Sequence, residues 1–284
     1  MNYHHSTLLL VLFLASAAAP ADAEEQLPHF LHDRGEGMTT SLFGTFVRGG
    51  ELLVYPFYEY ERTEEEYNGE DLGLADDDED YVGDLDGHEA LLFIAWGITE
   101  DIHLELESLL YEKAVLHKAP DDTTSGLINT YDESLAFPAL QAQLRWRLHR
   151  ETSTLPEAFT WVEVDHPLRT EKVLVGNADW EGALGVGFVK GFSWGTITPR
   201  LSLNYDHEEN LLDIGEWAVE YFKRLNDQWR FVATIEGEKD QEISLIGEIQ
   251  WHFSRQAYFK LNSGFGVHGP APDVAPEVGI MFSF

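Results

Sequence analysis

From Glu51 onward, apolar and polar residues alternate with a period of two rather than 3.6. In "LQAQLRWRLHR", Leu140, Ala142, Leu144, Trp146 and Leu148 share one side, while Gln141, Gln143, Arg145, Arg147 and His149 share the other. "QEISLIGEIQWHF" repeats the pattern, with Ile243, Leu245, Gly247, Ile249, Trp251 and Phe253 opposed to Glu242, Ser244, Glu248, Gln250 and His252. "DIHLELESLLYE" does so with Ile102, Leu104, Leu106 and Leu110 against His103, Glu105 and Glu107. Successive side chains of a strand point to opposite faces, so alternation of this length predicts strands with one dry and one wet face. Twelve such segments follow: 51–61, 88–98, 101–113, 137–149, 158–168, 179–191, 194–206, 213–224, 227–238, 241–253, 256–267 and 274–284. Many approach the roughly 9–11 residues that a tilted strand needs to cross a bilayer.

The connections favour one architecture over another. Residues 62–87 form the longest, whereas Thr99-Glu100, Phe192-Ser193 and Ser254-Arg255 are tight joints. Long connections fall mostly at odd-numbered positions and short ones at even, as in an outer-membrane barrel with short periplasmic turns and longer extracellular loops. Residues 150–157 are long for a turn and 239–240 short for a loop. A pair of β-sandwiches shares the alternation. Yet Trp96, Trp146, Trp194, Trp229, Trp251 and Phe284 all gather toward the short-turn end. A membrane–water interface collects aromatic rings in this way, and a sandwich core has no reason to. The expected fold is therefore all-β, a closed antiparallel transmembrane β-barrel of about twelve strands. An even number lets the first and last strands close without an edge. Pro56 and Pro199 sit awkwardly inside it, since each removes a ladder hydrogen bond.

Composition narrows the compartment and the partners. The chain of 284 residues has 51 acidic and 18 basic residues, a net charge of -33. Such an excess argues against nucleic acid, whose phosphates require Lys and Arg. Cysteine is absent, which excludes disulfides, thiolate metal sites and a lipidated N-terminal Cys. "TLLLVLFLASAAAPADA" reads as a signal peptide over residues 1–23, cut after Ala21-Asp22-Ala23, although its start has no Lys or Arg. Residues 24–50 then form an N-terminal periplasmic or plug segment, and 51–284 the barrel. Within "GMTTSLFGTFVRGG", Leu42, Phe43, Phe46 and Val47 share a helical face. Thr39 or Thr40 caps that helix, and Gly49-Gly50 ends it.

The ending "PEVGIMFSF" puts Val278, Ile280, Phe282 and Phe284 on one side of a strand. It resembles the C-terminal signature of bacterial outer-membrane barrels, which their assembly machinery recognises; the resemblance implies that Phe284 meets that machinery in a Gram-negative bacterium. The body is similar to the outer-membrane transporters related to the phenol-degradation MetA pathway family. "GITEDIHLELE", "GALGVGFVKGFSWGTITPRLSLNYD" and "KLNSGFGVHGPAPDVAPEVGIMFSF" carry that similarity, over roughly residues 90–284. It implies an outer-membrane channel and brings no catalytic residues.

Inward faces are where function is expected. Glu105 and Glu107 on the third strand face a neighbour bearing Arg145 and Arg147; further round come Arg200, Glu216, Glu220, Arg230, Glu236, Glu248 and Lys260. Such a lining either selects solutes or fills a small lumen with cross-strand ion pairs. Residues 64–89 carry no Lys or Arg and read as a solvated acidic loop. Its "DLDG" imitates an EF-hand centre, but the register puts Val82 and Phe93 at the terminal ligand positions, so no metal site follows. His252 and Ser254 lie on one strand at the periplasmic end, away from the outer leaflet where lipid-modifying barrels act. His88, His166 and His207 have no obvious serine nucleophile. No catalytic residue and no cofactor are expected. The chain reads as a channel for a small solute, set among membrane lipid and lipopolysaccharide. The alternative is a closed barrel with a lipid-modifying or structural role.

Overall fold

The computed structural model describes residues 27–40, 44–68, 80–120, 130–177, 179–207, 210–237, 242–269 and 271–284. The expected signal peptide, Leu42, Phe43 and the tip of the acidic loop at 69–79 lie outside them. The wall consists of β3 (Leu52–Asn68), β4 (Asp80–Gly97), β5 (Ile102–Lys118), β6 (Thr130–Ala136), β7 (Ala139–His149), β8 (Glu157–Pro167) and β9 (Glu181–Phe192). It continues through β10 (Gly195–Asp206), β11 (Leu211–Arg224), β12 (Trp229–Gly237), β13 (Ile243–His252), β14 (Ala257–His268) and β15 (Ala275–Ser283). Every pairing is antiparallel, and β15 returns to β3, so the barrel closes. β6 and β7 both pair with β5, one above the other, and act as one strand interrupted at Phe137-Pro138. Phe137 adopts a left-handed φ of 54° there. The wall thus has twelve strands, as the alternation predicts.

Three strands run further than the pattern indicates. β3 and β4 extend past the apolar stretch into largely polar segments, where period-two patterning fades although the backbone ladder continues, and β5 runs on through 114–118 with Ala114 and Leu116 buried. The expected acidic loop 64–89 is therefore largely a hairpin. Glu64 stands opposite Asp84 and Asn68 opposite Asp80, leaving only 69–79 between the arms. Pro56 and Pro199 fall at gaps in the register, β3 against β15 and β10 against β9 respectively. A missing N–H leaves the ladder incomplete there while the other flank still pairs.

One end of the barrel has connections 98–101, 150–156, 193–194, 225–228 and 253–256; the other has 69–79, 119–129, 168–180, 207–210, 238–242 and 269–274. The outward faces carry a continuous apolar band that includes Leu144, Val162, Leu184, Leu201, Ile249 and Leu261, all exposed. Trp96, Trp146, Trp194, Trp229, Trp251 and Phe284 are exposed beside the short connections. Neighbouring rings form a girdle, with centroids 4.9 Å apart for Phe192 and Trp194 and 6.3 Å for Trp229 and Trp251. An apolar band on a closed wall, with aromatic rings at its lower edge, is the solution to a lipid solvent. The protein is an outer-membrane β-barrel.

The N-terminal segment departs from expectation. In place of a helix over residues 39–47, β1 (Met38–Thr39) pairs with β2 (Phe46–Val47) as a two-residue hairpin. Gly44 takes a left-handed φ of 57° there, and a Cβ at that position would lie 2.5 Å from the Phe222 ring. Threonines and an internal glycine are poor helix formers, and contacts with the wall decide the outcome.

Candidate functional site

The inward face of the wall and residues 27–50 together build the candidate site. At its centre Lys260 is fully buried, with Nζ 3.1 Å from Glu277 Oε1 and 3.4 Å from Glu248 Oε2. Gln250 Nε2 donates to Glu248 Oε1 at 2.6 Å, and Asn262 Nδ2 to Glu277 Oε2 at 3.0 Å. The Tyr55 hydroxyl donates to Glu277, and its ring lies under the Lys260 ammonium at 4.9 Å. Charged groups sealed from water need this degree of partnering to be tolerated. Beside them a cluster of Leu53, Tyr55, Phe57, Leu91, Phe93, Ala95, Tyr258 and Met281 packs against Val47 of the N-terminal segment.

A second group surrounds Arg145. Its NH2 lies 3.6 Å from Glu105 Oε2, its Nε donates to Gln143 Oε1 at 3.0 Å, and its NH1 donates to the Thr39 carbonyl at 2.6 Å. The guanidinium also lies over Phe159 and Trp161, 5.2 and 5.5 Å from their centroids. Glu105 meets His103 Nε2 at 2.9 Å. Arg200 and Glu220 bound the same small space with Thr39 and Thr40.

The third group joins segment to wall. Arg34 NH2 reaches Glu151 Oε2 at 2.9 Å and Glu157 Oε2 at 3.1 Å. Arg147 shares Glu157 at 3.3 Å and donates to the Glu36 and Glu100 carbonyls at 3.2 and 2.9 Å. Lys190 shares Glu151 at 3.0 Å, and Asp33 accepts from Lys223 Nζ at 3.1 Å. Two glycines make room for the docked backbone: an ideal Cβ on Gly97 would lie 1.8 Å from the Arg48 carbonyl oxygen, and one on Gly191 1.8 Å from that of Phe30.

Of the residues expected to line the lumen, Glu105, Arg145, Arg147, Glu220, Glu248 and Lys260 are buried on the inward face. Glu107 and Arg200 are half-buried there. Arg230 sits at the short-turn rim, where its NH1 donates to the Asn226 carbonyl at 2.7 Å. Glu236 is half-buried, whereas Glu216 is exposed, beyond the register shift between Leu201 and Leu203. His252 Nε2 meets Gln250 at 3.1 Å, and the Ser254 hydroxyl accepts the Gln256 N–H, so the two do not meet each other.

One feature escapes the alternation entirely. Glu112, Glu89, Glu59 and Glu277 stand opposite one another in turn across β5, β4, β3 and β15, a row of like charges where opposite charge is the stabilising choice. Strand parity places Glu59, Glu89 and Glu277 inward, the bulge opposite Ala90 and Leu91 turns Glu112 the same way, and the closing seam adds Glu277 to the row.

No family model matches the chain, and no curated protein matches its sequence. Solved outer-membrane barrels do resemble it. The translocator domain of the autotransporter NalP from Neisseria meningitidis is 12% identical, with 83% of this chain and 88% of that chain covered and a TM-score of 0.49. The KdgM porin is 8% identical, covering 81% of this chain and 99% of its own at 0.47. The transport unit of the autotransporter AIDA-I from Escherichia coli is 8% identical, covering 84% and 91% at 0.47. Likeness at this level bears on no activity.

Proposed function

We propose that the protein is an outer-membrane channel for a small solute, closed at rest by residues 27–50 acting as a plug. The observation that carries this reading is the set of buried ion pairs from Arg34 to Glu151 and Glu157, which ties a separate segment into the short-turn end of the barrel. A wall that only had to persist in lipid would not need a detachable strap fastened by charge. Such a strap resists the apolar membrane yet yields to competing charge or water. Glu105, Glu107, Arg145, Arg147, Arg200, Glu220, Arg230, Glu248 and Lys260 then form a charged lining that selects solutes electrostatically once the plug moves. Kinship with the transporters related to the MetA pathway belongs to the same proposal, as do contacts of the outer band with lipid and lipopolysaccharide. Phe284, exposed and paired with Leu52 through both backbone groups, is offered to the assembly machinery.

The test is conductance in planar bilayers, comparing the full chain with one lacking residues 27–50. Heat-modifiable electrophoretic migration confirms that both are folded. Low conductance that rises on deletion is expected. Equal, negligible conductance in both would sink the reading and favour a closed barrel with a structural role; the fully buried Lys260 at mid-lumen is what keeps that alternative in view. Reversing Arg145 or Arg147 in the deleted chain should shift ion selectivity, and an unchanged selectivity would remove those residues from the lining.

A further inference from the structure

At the short-turn end a cavity of about 260 Å³ opens between the N-terminal segment and the rim of β11–β15. Five arginines line it, Arg34, Arg48, Arg224, Arg230 and Arg255, in a chain whose net charge is -33. Among the described residues only two acids share that lining, and both are engaged. Asp33 accepts from Lys223 and from the Arg224 backbone N–H at 3.3 Å. Glu51 accepts from the Arg48 backbone N–H at 2.9 Å and from the Ser283 hydroxyl.

The arginine charges are less well answered. Arg224 pairs with Asp227 at 2.8 Å. Arg48, Arg230 and Arg255 form no ion pair among the described residues. Arg34, 5% exposed, uses only NH2 on its carboxylates, and its Nε and NH1 are buried with no hydrogen-bond partner among the described residues. Buried donors of this kind are costly unless something accepts from them. Like charges gathered in one concave site raise the local potential for an anion. The remaining walls are mixed: Phe46, Phe222, Leu53 and Met281 form an apolar side, and His32, Thr45, Gln250, His252, Gln256 and Tyr258 add neutral polar groups.

We infer that this cavity binds a small organic carboxylate with an apolar body. Its carboxylate sits among the arginines, whose planar forks suit a two-oxygen acceptor. Its body lies against Phe46 and Phe222, whose rings already meet edge-on at 5.9 Å. Because the arginines come from both the N-terminal segment and the wall, the bound anion cross-links the two and strengthens the docking of the segment. This inference concerns binding and stands whether or not the barrel conducts.

The experiment is calorimetric titration of the folded full chain in detergent with benzoate, with uncharged benzamide and with inorganic phosphate. Benzoate should bind at least about tenfold more tightly than either of the others, since a charged hydrogen-bonded pair is lost with benzamide and the apolar contact with phosphate. Arg230→Gln should weaken benzoate by about tenfold, and the exposed Arg48→Gln and Arg255→Gln by a few fold each. These two surface variants keep the test valid if Arg230→Gln fails to fold. Benzamide binding as well as benzoate, phosphate binding as well as benzoate, no benzoate binding by the folded chain, or unchanged affinity in all three variants would each overturn the assignment. Conductance without benzoate binding defeats this inference and spares the channel; binding without conductance does the reverse.

Discussion

Replacing Arg34 by Gln should release the N-terminal segment while leaving the barrel intact. Arg34 contacts two carboxylates at 2.9 and 3.1 Å, and the side chains of Arg34 and Glu151 are fully sealed from solvent. Removing one partner of a buried pair typically costs about 3–5 kcal/mol, because the other charge is left uncompensated. Here Lys190 and Arg147 remain within 3.0 and 3.3 Å of Glu151 and Glu157, so the loss belongs near the lower bound, about 3 kcal/mol. At about 1.4 kcal/mol per decade, that shifts the docking equilibrium by roughly two powers of ten. Amide hydrogen exchange reads it directly. The Thr40 N–H bonds to the Thr45 carbonyl at 2.7 Å and the Gly50 N–H to the Gly97 carbonyl at 2.8 Å. Both should lose about a hundredfold protection, while amides within β13 and β14 keep theirs. If Thr40 exchanges at its original rate in a folded R34Q barrel, the segment is not held by this ion pair. If β13 amides accelerate equally, Arg34 supports the whole barrel and not a detachable part.

Three other outcomes follow from separate features. Gly97→Ala should push the Arg48 backbone off the wall, given the 1.8 Å approach its methyl would make, and should speed proteolytic cleavage between residues 27 and 50; an unchanged cleavage rate would show that the segment accommodates the methyl. Leu144, 49% exposed and midway along β7, should tolerate Arg poorly, with about 2–4 kcal/mol lost in urea unfolding from lipid vesicles; no loss would place this residue outside the hydrocarbon. On the long-loop rim, Asp179 is held below the usual carboxylate range by the Trp180 backbone N–H and then by His207, whose ring lies 5.1 Å from that of Trp180. A depressed value means that the stabilisation is complete above the ordinary Asp pKa of about 3.9 and is lost as pH falls through the lower folded value. The Asp179 side-chain carboxyl carbon resonance should therefore titrate with its midpoint below about 3.9, and a midpoint above that value would contradict the assignment.

The membrane makes most of this fold legible. Lipid demands an apolar residue at every outward position, which is every second residue, so β7, β10, β13 and β15 are readable directly from Leu144, Leu201, Ile249 and Ile280. Where β3 and β4 rise out of the hydrocarbon, that demand stops, and the strands continue mainly on backbone hydrogen bonds that few side chains announce. Inward parity exposes Arg145, Glu105, Glu248 and Lys260 one by one. Which of them meet depends on hairpin register, which sets Lys260 diagonally beside Glu277 across β14 and β15, and on the closing seam, which adds Glu277 to the glutamate row; neither has a local signature. The N-terminal hairpin is harder still. Its glycine and threonines specify little by themselves, and its shape comes from Phe222, Arg145 and Glu157, far along the chain.

That last dependence has a consequence for how the molecule is made. Arg34 waits for Glu151 and Glu157, 117 and 123 positions later, and Asp33 waits for Lys223, 190 positions later. The segment emerges before any strand of the barrel, yet has nowhere to dock until β11 is in place. Contacts of such long separation form late and slowly. The wall then closes by joining β3, the first of its strands, to β15, the last. The earliest residues of the described chain thus find their seat only after β11 is in place, and the seam joins residues that are farther apart still.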